Sequence, residues 1–296
     1  MSGPKQSEAY ERLLAKTRAA LLAKGDADSL AAAAFLSSGA PTNDGERLSL
    51  LARASAMEPT RANLAWLYLQ QCIAIDTCDP KPIETRLHSL DPGNAASISG
   101  SLSRASQSSE ADEQQYIAAM ARSESFDIYW NSTILDLTNA RMKVRTMDLP
   151  STVVGTIGHL SAVVLPAYGQ LSNFCKGDRL SRPDVLEDCR KLAAVLRRGD
   201  TYITEMIGIA IARRVWPENS EEYKDAIGAA RIAHYRMEIE SKRSATHLRS
   251  TADYESYLAL LAAHQREQDV FLAEIVSTGL NPNPPSDWQD SFAHHR

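Results

Sequence analysis

The chain has 296 residues, 44% of them hydrophobic and 23% charged, which is enough apolar material for a substantial core and too much for a disordered chain. Its 32 Lys plus Arg against 37 Asp plus Glu leave a formal charge of −5, and no basic stripe interrupts that balance. A nucleic-acid binder that tracks phosphates is therefore not expected.

The N-terminal run MSGPKQSEAYERLL has no apolar stretch behind a charged start, so it does not read as a signal peptide. The Ser2-Gly3-Pro4 opening is compatible with a junction from which a signal or lipoprotein leader has been removed. Apolar positions then recur at helical spacing almost everywhere, and no alternating segments bounded by hairpin turns appear. The expected class is all-α, with about fourteen helices in a curved array of antiparallel hairpins over residues 1–279.

In the first half the helices are short and separated by acid-proline or Gly/Asp/Asn breaks. Ala56-Met57-Glu58-Pro59-Thr60-Arg61-Ala62 aligns with Ser89-Leu90-Asp91-Pro92-Gly93-Asn94-Ala95 and with Arg122-Ser123-Glu124-Ser125-Phe126-Asp127-Ile128, so the acids at 58, 91 and 124 repeat every 33 residues. Each acid falls where one helix should stop and the next begin, and Pro59 and Pro92 suit that place because a first-turn proline forfeits no helical hydrogen bond. This period, with Ala65-Trp66-Leu67-Tyr68-Leu69 after the first junction, resembles tetratricopeptide repeats over about residues 43–140. The resemblance implies two-helix units stacked side by side.

Longer, non-repeat helices are expected over 150–279. The uncharged stretch from Leu149 to Phe174 contains Pro150, Gly155, Gly158, His159, Pro166 and Gly169, and reads as buried helix instead of a membrane span. From Ser181, with Pro183 in the first turn, Val185, Cys189, Leu192, Ala193 and Leu196 form an apolar stripe. From Asp200 as N-cap, Ile203, Met206, Ile207, Ala210 and Ile211 form another, and Pro217 ends it just beyond Trp216. Two long helices, about 219–243 and 251–278, lead to Gly279 and an irregular Pro-rich tail over 280–296.

The four cysteines fall as two close pairs, Cys72 with Cys78 and Cys175 with Cys189. Thr77 and Asp79-Pro80 announce a helix end that would let the first pair meet, and the second pair could meet across a helical hairpin. Two local disulfides are one reading; four buried free thiols are the other. The chain has no Walker A, GxSxG, HExxH or strand–GxGxxG–helix element, and neither a metal nor a cofactor is expected. His88 lies four residues after Glu84, His234 lies on the face of Tyr223, Ile227, Ala230 and Met237, and His294-His295 are in the tail. Acid clusters at Glu110, Asp112 and Glu113, and at Glu218, Glu221 and Glu222, fit helix starts capped by Ser108, Ser109 or Asn219 better than catalytic pairs.

Stacked hairpins create a binding surface without reactive residues, so a protein-binding role is expected and an enzymatic one is not. The paired cysteines, the Leu90-Asp91-Pro92-Gly93-Asn94-Ala95 junction and the Arg122-to-Trp130 segment together resemble, in overall character, the periplasmic immunity proteins that bacteria keep against antibacterial effectors delivered by secretion systems. That resemblance implies a periplasmic protein that blocks a cognate toxin by occlusion; Trp66, Tyr68, Tyr129 and Trp130 read first as packing between repeat helices and, in the other reading, as anchors in a partner-facing groove. A generic scaffold, cytoplasmic or periplasmic, that holds a peptide or helix in its groove is the alternative, followed by an all-α enzyme with a site assembled from distant helices.

Overall fold

The computed structural model describes residues 4–36, 44–163, 166, 168–246 and 250–290. In chain order the helices are α1 (Pro4–Lys24), α2 (Ala27–Ala34), α3 (Asp44–Met57), α4 (Ala62–Ile73), α5 (Lys81–Leu90), α6 (Ser99–Ser108), α7 (Glu110–Met120) and α8 (Trp130–Lys143). They continue as α9 (Leu149–Val163), α10 (Tyr168–Phe174), α11 (Pro183–Arg197), α12 (Tyr202–Val215), α13 (Glu221–Thr246), α14 (Thr251–Ala263) and α15 (Glu267–Ser277). Two short 3-10 turns, Ala95–Ile98 and Gly177–Ser181, complete the set among the described residues. The protein is all-α, as expected, with fifteen α-helices described against about fourteen anticipated.

The chain groups into two compact units, one from Met1–Pro92 with Asn131–Pro166 and the other from Gly93–Trp130 with Ala167–Arg296. Residues 43–140, the stretch with the 33-residue period, contribute to both. Glu58, Asp91 and Glu124 all lie between helices, and each 33-residue interval holds two of them, α4 with α5 and then α6 with α7.

In the first unit, α1 to α5 pack each on the next. Asp26 caps α2 by accepting the Ser29 N–H at 2.9 Å, and Ala31 to Ala34 of that helix are all buried. Small side chains there let neighbouring helices approach closely. Leu64, Trp66, Leu67 and Leu69 of α4 supply the bulk of the adjoining core. α4 ends at Ile73, and the turn beyond it brings Cys78 back to Cys72, at disulfide-bonding distance with sulfurs 2.03 Å apart.

In the second unit, α11 packs on α7 and α12, and α12 on α13. Pro183 opens α11, and the predicted stripe of Val185, Cys189, Leu192, Ala193 and Leu196 is buried as read. Cys189 meets Cys175 with sulfurs 2.04 Å apart. The predicted face of α12 is rotated from the observed one: Ile203 is 45% exposed and Ile207 half-buried, whereas Tyr202, Thr204, Gly208, Ile209, Ile211, Ala212 and Val215 face inward. Gly208 explains the rotation. A Cβ placed there would stand 2.7 Å from the Arg197 backbone nitrogen and 2.8 Å from the Ala193 carbonyl oxygen, so α12 presents its glycine to α11 at closest approach.

The helix expected over 251–278 is broken into α14 and α15 at His264 to Arg266. Tertiary bonds win over continuity there: the Glu267 N–H donates to the Asp200 carbonyl at 2.8 Å, and Arg266 Nε to the Gly199 carbonyl at 3.1 Å. The segment 280–290 is irregular, as expected, and lies along α13 through bonds from Arg231 and Arg236 to its carbonyls. His294 and His295 lie outside the described residues. No described helix is long and apolar enough to cross a membrane.

Leu192→Ala should cost on the order of 2–5 kcal/mol in a urea melt. Ile207→Ala should cost about 1 kcal/mol or less, because its site is half-open. Gly208→Ala should cost more than Ile207→Ala, about 1–3 kcal/mol, through backbone overlap. An Ile207→Ala cost equal to that of Leu192→Ala would refute the observed helix face.

Candidate functional site

Trp216 follows α12 and precedes Pro217, and the residue before a proline is driven to extended backbone. Its φ of −108° and ψ of 140° turn it off the helix axis. The Arg190 guanidinium of α11 stacks over its ring at 4.1 Å from the centroid and also donates from Nε to the Val215 carbonyl at 3.2 Å. The ring thus stays half-buried yet fixed. Ala193 and Ala194 of α11 and Ala212 of α12 are too small to fill the space beside it, and a cleft of about 380 Å³ results.

The opposite rim is the first turn of α13, where Ser220 accepts the Tyr223 N–H at 3.1 Å and Glu221, Glu222 and Asp225 line the opening. Ser220 supplies the cap, not Asn219. Asp225 pairs with Arg197 at 2.7 Å and Glu221 with Lys224 at 2.7 Å, while Glu222 has no ion-pair partner among the described residues. With Arg190 and Arg197 also lining the cleft, Glu222 is the rim acid left to meet a cation, so the apolar floor and clamped indole can receive a side chain with an apolar stem and a single cationic end.

A buried polar knot braces the same unit. The Asp200 carboxylate accepts the Ile128 N–H on Oδ1 at 3.0 Å and the Trp130 N–H on Oδ2 at 2.9 Å, spanning Tyr129, whose φ of 58° is left-handed. Asn94 adds to the clamp by donating from Nδ2 to the Asp127 carbonyl at 2.8 Å and the Tyr129 hydroxyl at 3.0 Å, and its Oδ1 accepts the Asp127 N–H. Thr201, not Asp200, caps α12, accepting the Thr204 N–H at 3.2 Å. Burial pushes the Asp200 carboxyl up to about 7; Asp127 and Glu267 push the same way, and the two N–H bonds oppose them. Burial also raises Glu267, which accepts the Tyr202 N–H at 2.8 Å.

Of the four aromatics expected either to pack between helices or to face a partner, Trp66 is 0% and Trp130 is 7% exposed. Both are core residues, because an indole already packed inside its own unit has no face left for a partner. Tyr68 and Tyr129 are half-buried, the latter with its hydroxyl engaged by Asn94. The half-buried tryptophan beside the cleft is Trp216, which the sequence marks only as a helix stop before Pro217; its packing against Arg190 depends on the fold.

Glu84 is buried while His88 is exposed, and no three His, Cys, Asp or Glu side chains gather as a possible metal set among the described residues. His234 pairs with Asp290 at 2.7 Å. His159 contacts the Gly155 carbonyl, and burial, reinforced by Arg141 and Arg47, lowers its pKa. Ser109 caps α7 at 3.4 Å from the Asp112 nitrogen, and Glu113 pairs with Arg179 at 3.1 Å, so that acid cluster serves a helix start. In the first unit, Arg61 bridges Asp28 at 2.6 Å and Asp136 at 2.5 Å.

No protein-family model, curated protein or solved structure matches this chain.

Because the folded Asp200 pKa stands above its ordinary value of 3.8, the folded state holds a proton that the unfolded chain has released between about pH 4 and pH 7. Its contribution to stability is therefore fully present below about pH 4 and is lost as pH rises through about 7. Asp200→Asn should remove that slope and cost about 1–3 kcal/mol, since its amide NH2 would face a backbone N–H. Urea melts of both proteins at several pH values test this; parallel curves would overturn it.

Proposed function

We propose that this protein is a binding protein that inhibits by occlusion, of the kind represented by periplasmic immunity proteins against antibacterial effectors. The observation that carries the reading is the cleft around Trp216. A large aromatic side chain is held half-exposed by a stacked arginine, over an alanine floor, in a place its own unit leaves unfilled. Such anchors supply much of the energy of protein interfaces. The acidic rim and the overall charge of −5 suit a basic surface on the partner, whose approach electrostatics would speed at low salt. Occlusion needs no reactive group from the inhibitor, only an interface large enough to cover the partner's working surface.

The two cysteine pairs at bonding distance are compatible with an oxidising compartment and support the periplasmic part of the proposal. Native protein purified from that compartment should show no alkylatable thiol before reduction and four after it. By loop entropy, opening the shorter bridge should cost about 2 kcal/mol and the longer about 3 kcal/mol. Four reactive thiols in the native protein would remove this support.

The binding test is a pull-down of the secreted effectors of the source cell. Trp216→Ala should weaken the captured complex by at least about 1–2 kcal/mol while the melting temperature stays nearly unchanged. High salt should slow association. Unchanged affinity of a folded Trp216→Ala variant would sink the assignment of this cleft, and failure to capture any effector would sink the inhibitor reading.

A further inference from the structure

The α13 helix carries a second surface, well along the chain from the cleft rim, which is already occupied. Residues 282–290 run beside it with no helix or strand of their own. Prolines at 282, 284 and 285 withhold backbone donors, and one internal main-chain bond, from the Trp288 N–H to the Pro285 carbonyl at 3.1 Å, folds residues 285–288 into a turn. Its hold on α13 comes from side chains of that helix.

Arg231 Nη2 donates its two hydrogens to the carbonyls of Pro285 at 2.6 Å and Trp288 at 3.2 Å, with the Ser286 carbonyl also near at 3.4 Å. Arg236 donates to the Pro282 carbonyl at 3.1 Å. These acceptors are main-chain atoms, so this part of the recognition is indifferent to side-chain identity. Specificity comes from two further contacts. The Trp288 ring stands edge-on to Tyr235 at 5.3 Å, with Arg231 5.6 Å from its centroid and its indole N–H donating to Glu238 at 3.3 Å. Two residues on, the Asp290 carboxylate meets His234 Nδ1 at 2.7 Å.

Arg231, His234, Tyr235 and Glu238 thus share one face of α13 at i, i+3, i+4 and i+7, and Arg236 reaches the Pro282 carbonyl from beside it. The face combines carbonyl capture, an aromatic slot and a contact to the Asp290 acid. We infer that this face of α13 is a peptide-recognition surface, filled in cis by the chain's own segment. The partner it fits is a proline-containing segment of another protein that turns before a tryptophan and carries an acid two residues after it. The covalent tether raises the local concentration of the native segment, so a free peptide competes only when the tether's own anchor is lost.

The test uses the full chain and a fluorescein-labelled peptide with the sequence of residues 281–290. Trp288→Ala should loosen the segment in cis and bind the peptide roughly tenfold or more tightly than the wild type does. Arg231→Gln added to Trp288→Ala should abolish that binding, because it removes the carbonyl capture. Equal peptide affinity in the wild type and a folded Trp288→Ala variant, or undiminished affinity after Arg231→Gln, would overturn the inference. Should Trp288→Ala fail to fold, a protease site inserted after Leu280 keeps it testable. Once cut, the native segment should exchange with the labelled peptide on dilution; a cleaved protein that neither releases nor exchanges the segment overturns it equally.

Discussion

The second unit is organised around the carboxylate of Asp200. It lies where α11 gives way to α12, fully enclosed, and reaches two backbone N–H groups on either side of Tyr129. A left-handed tyrosine costs conformational energy that local sequence does not repay, so the turn persists because a distant acid ties down both flanks. The same short loop offers its main chain to α15: the Asp200 carbonyl accepts the Glu267 N–H, and the Gly199 carbonyl accepts from Arg266 and Gln268. Gly199 is required here, since a Cβ would stand 2.8 Å from the Phe126 carbonyl oxygen. One loop therefore sets the strained turn before α8, the start of α12 and the start of α15.

That arrangement explains which parts of the fold the sequence revealed. The stripe on α11 repeats apolar residues from Val185 to Leu196, about three turns, and packs as periodicity says. On α12, isoleucines occupy several faces, so periodicity alone does not choose among them, and the deciding residue is a glycine whose role is to have no side chain. The break between α14 and α15 likewise has no glycine or proline to mark it. It exists because Glu267 and Arg266 bond to a loop more than sixty residues earlier in the chain.

The 33-residue period has a physical content beyond repetition. The second and third junctions touch: the Gly93 carbonyl accepts the Glu124 N–H at 2.8 Å and the Ser125 N–H at 3.2 Å, and the Ala95 N–H donates to the Ser125 carbonyl at 2.9 Å. Small polar residues, Asn94 on one side and Ser125 on the other, suit both strands of this short bridge, which is one reason the two segments look alike. The first junction, at Glu58, lies in the other unit and is used differently. There Arg61 spans Asp28 and Asp136, with Asn63 donating to Asp136 at 2.8 Å, so α2, α4 and α8 are joined by one guanidinium. Arg141 performs a similar service between α8 and α9 by donating to Thr156 at 2.8 Å.

Aromatic residues illustrate why binding sites are harder to read than cores. Trp66 and Trp130 stand in strongly patterned segments, and patterning is the signature of burial, so the most conspicuous tryptophans are the least available to a partner. Trp216 and Trp288 stand beside prolines or in an irregular tail, where no period applies. Each is held by an arginine, Arg190 in one case and Arg231 in the other, and each keeps part of its ring open. A guanidinium stacked on an indole restricts the ring without enclosing it, which meets the requirement of a pre-organised anchor: little side-chain entropy remains to be lost on binding. In this protein the half-buried tryptophans lie outside the helical pattern and beside an arginine, whereas those inside it are core.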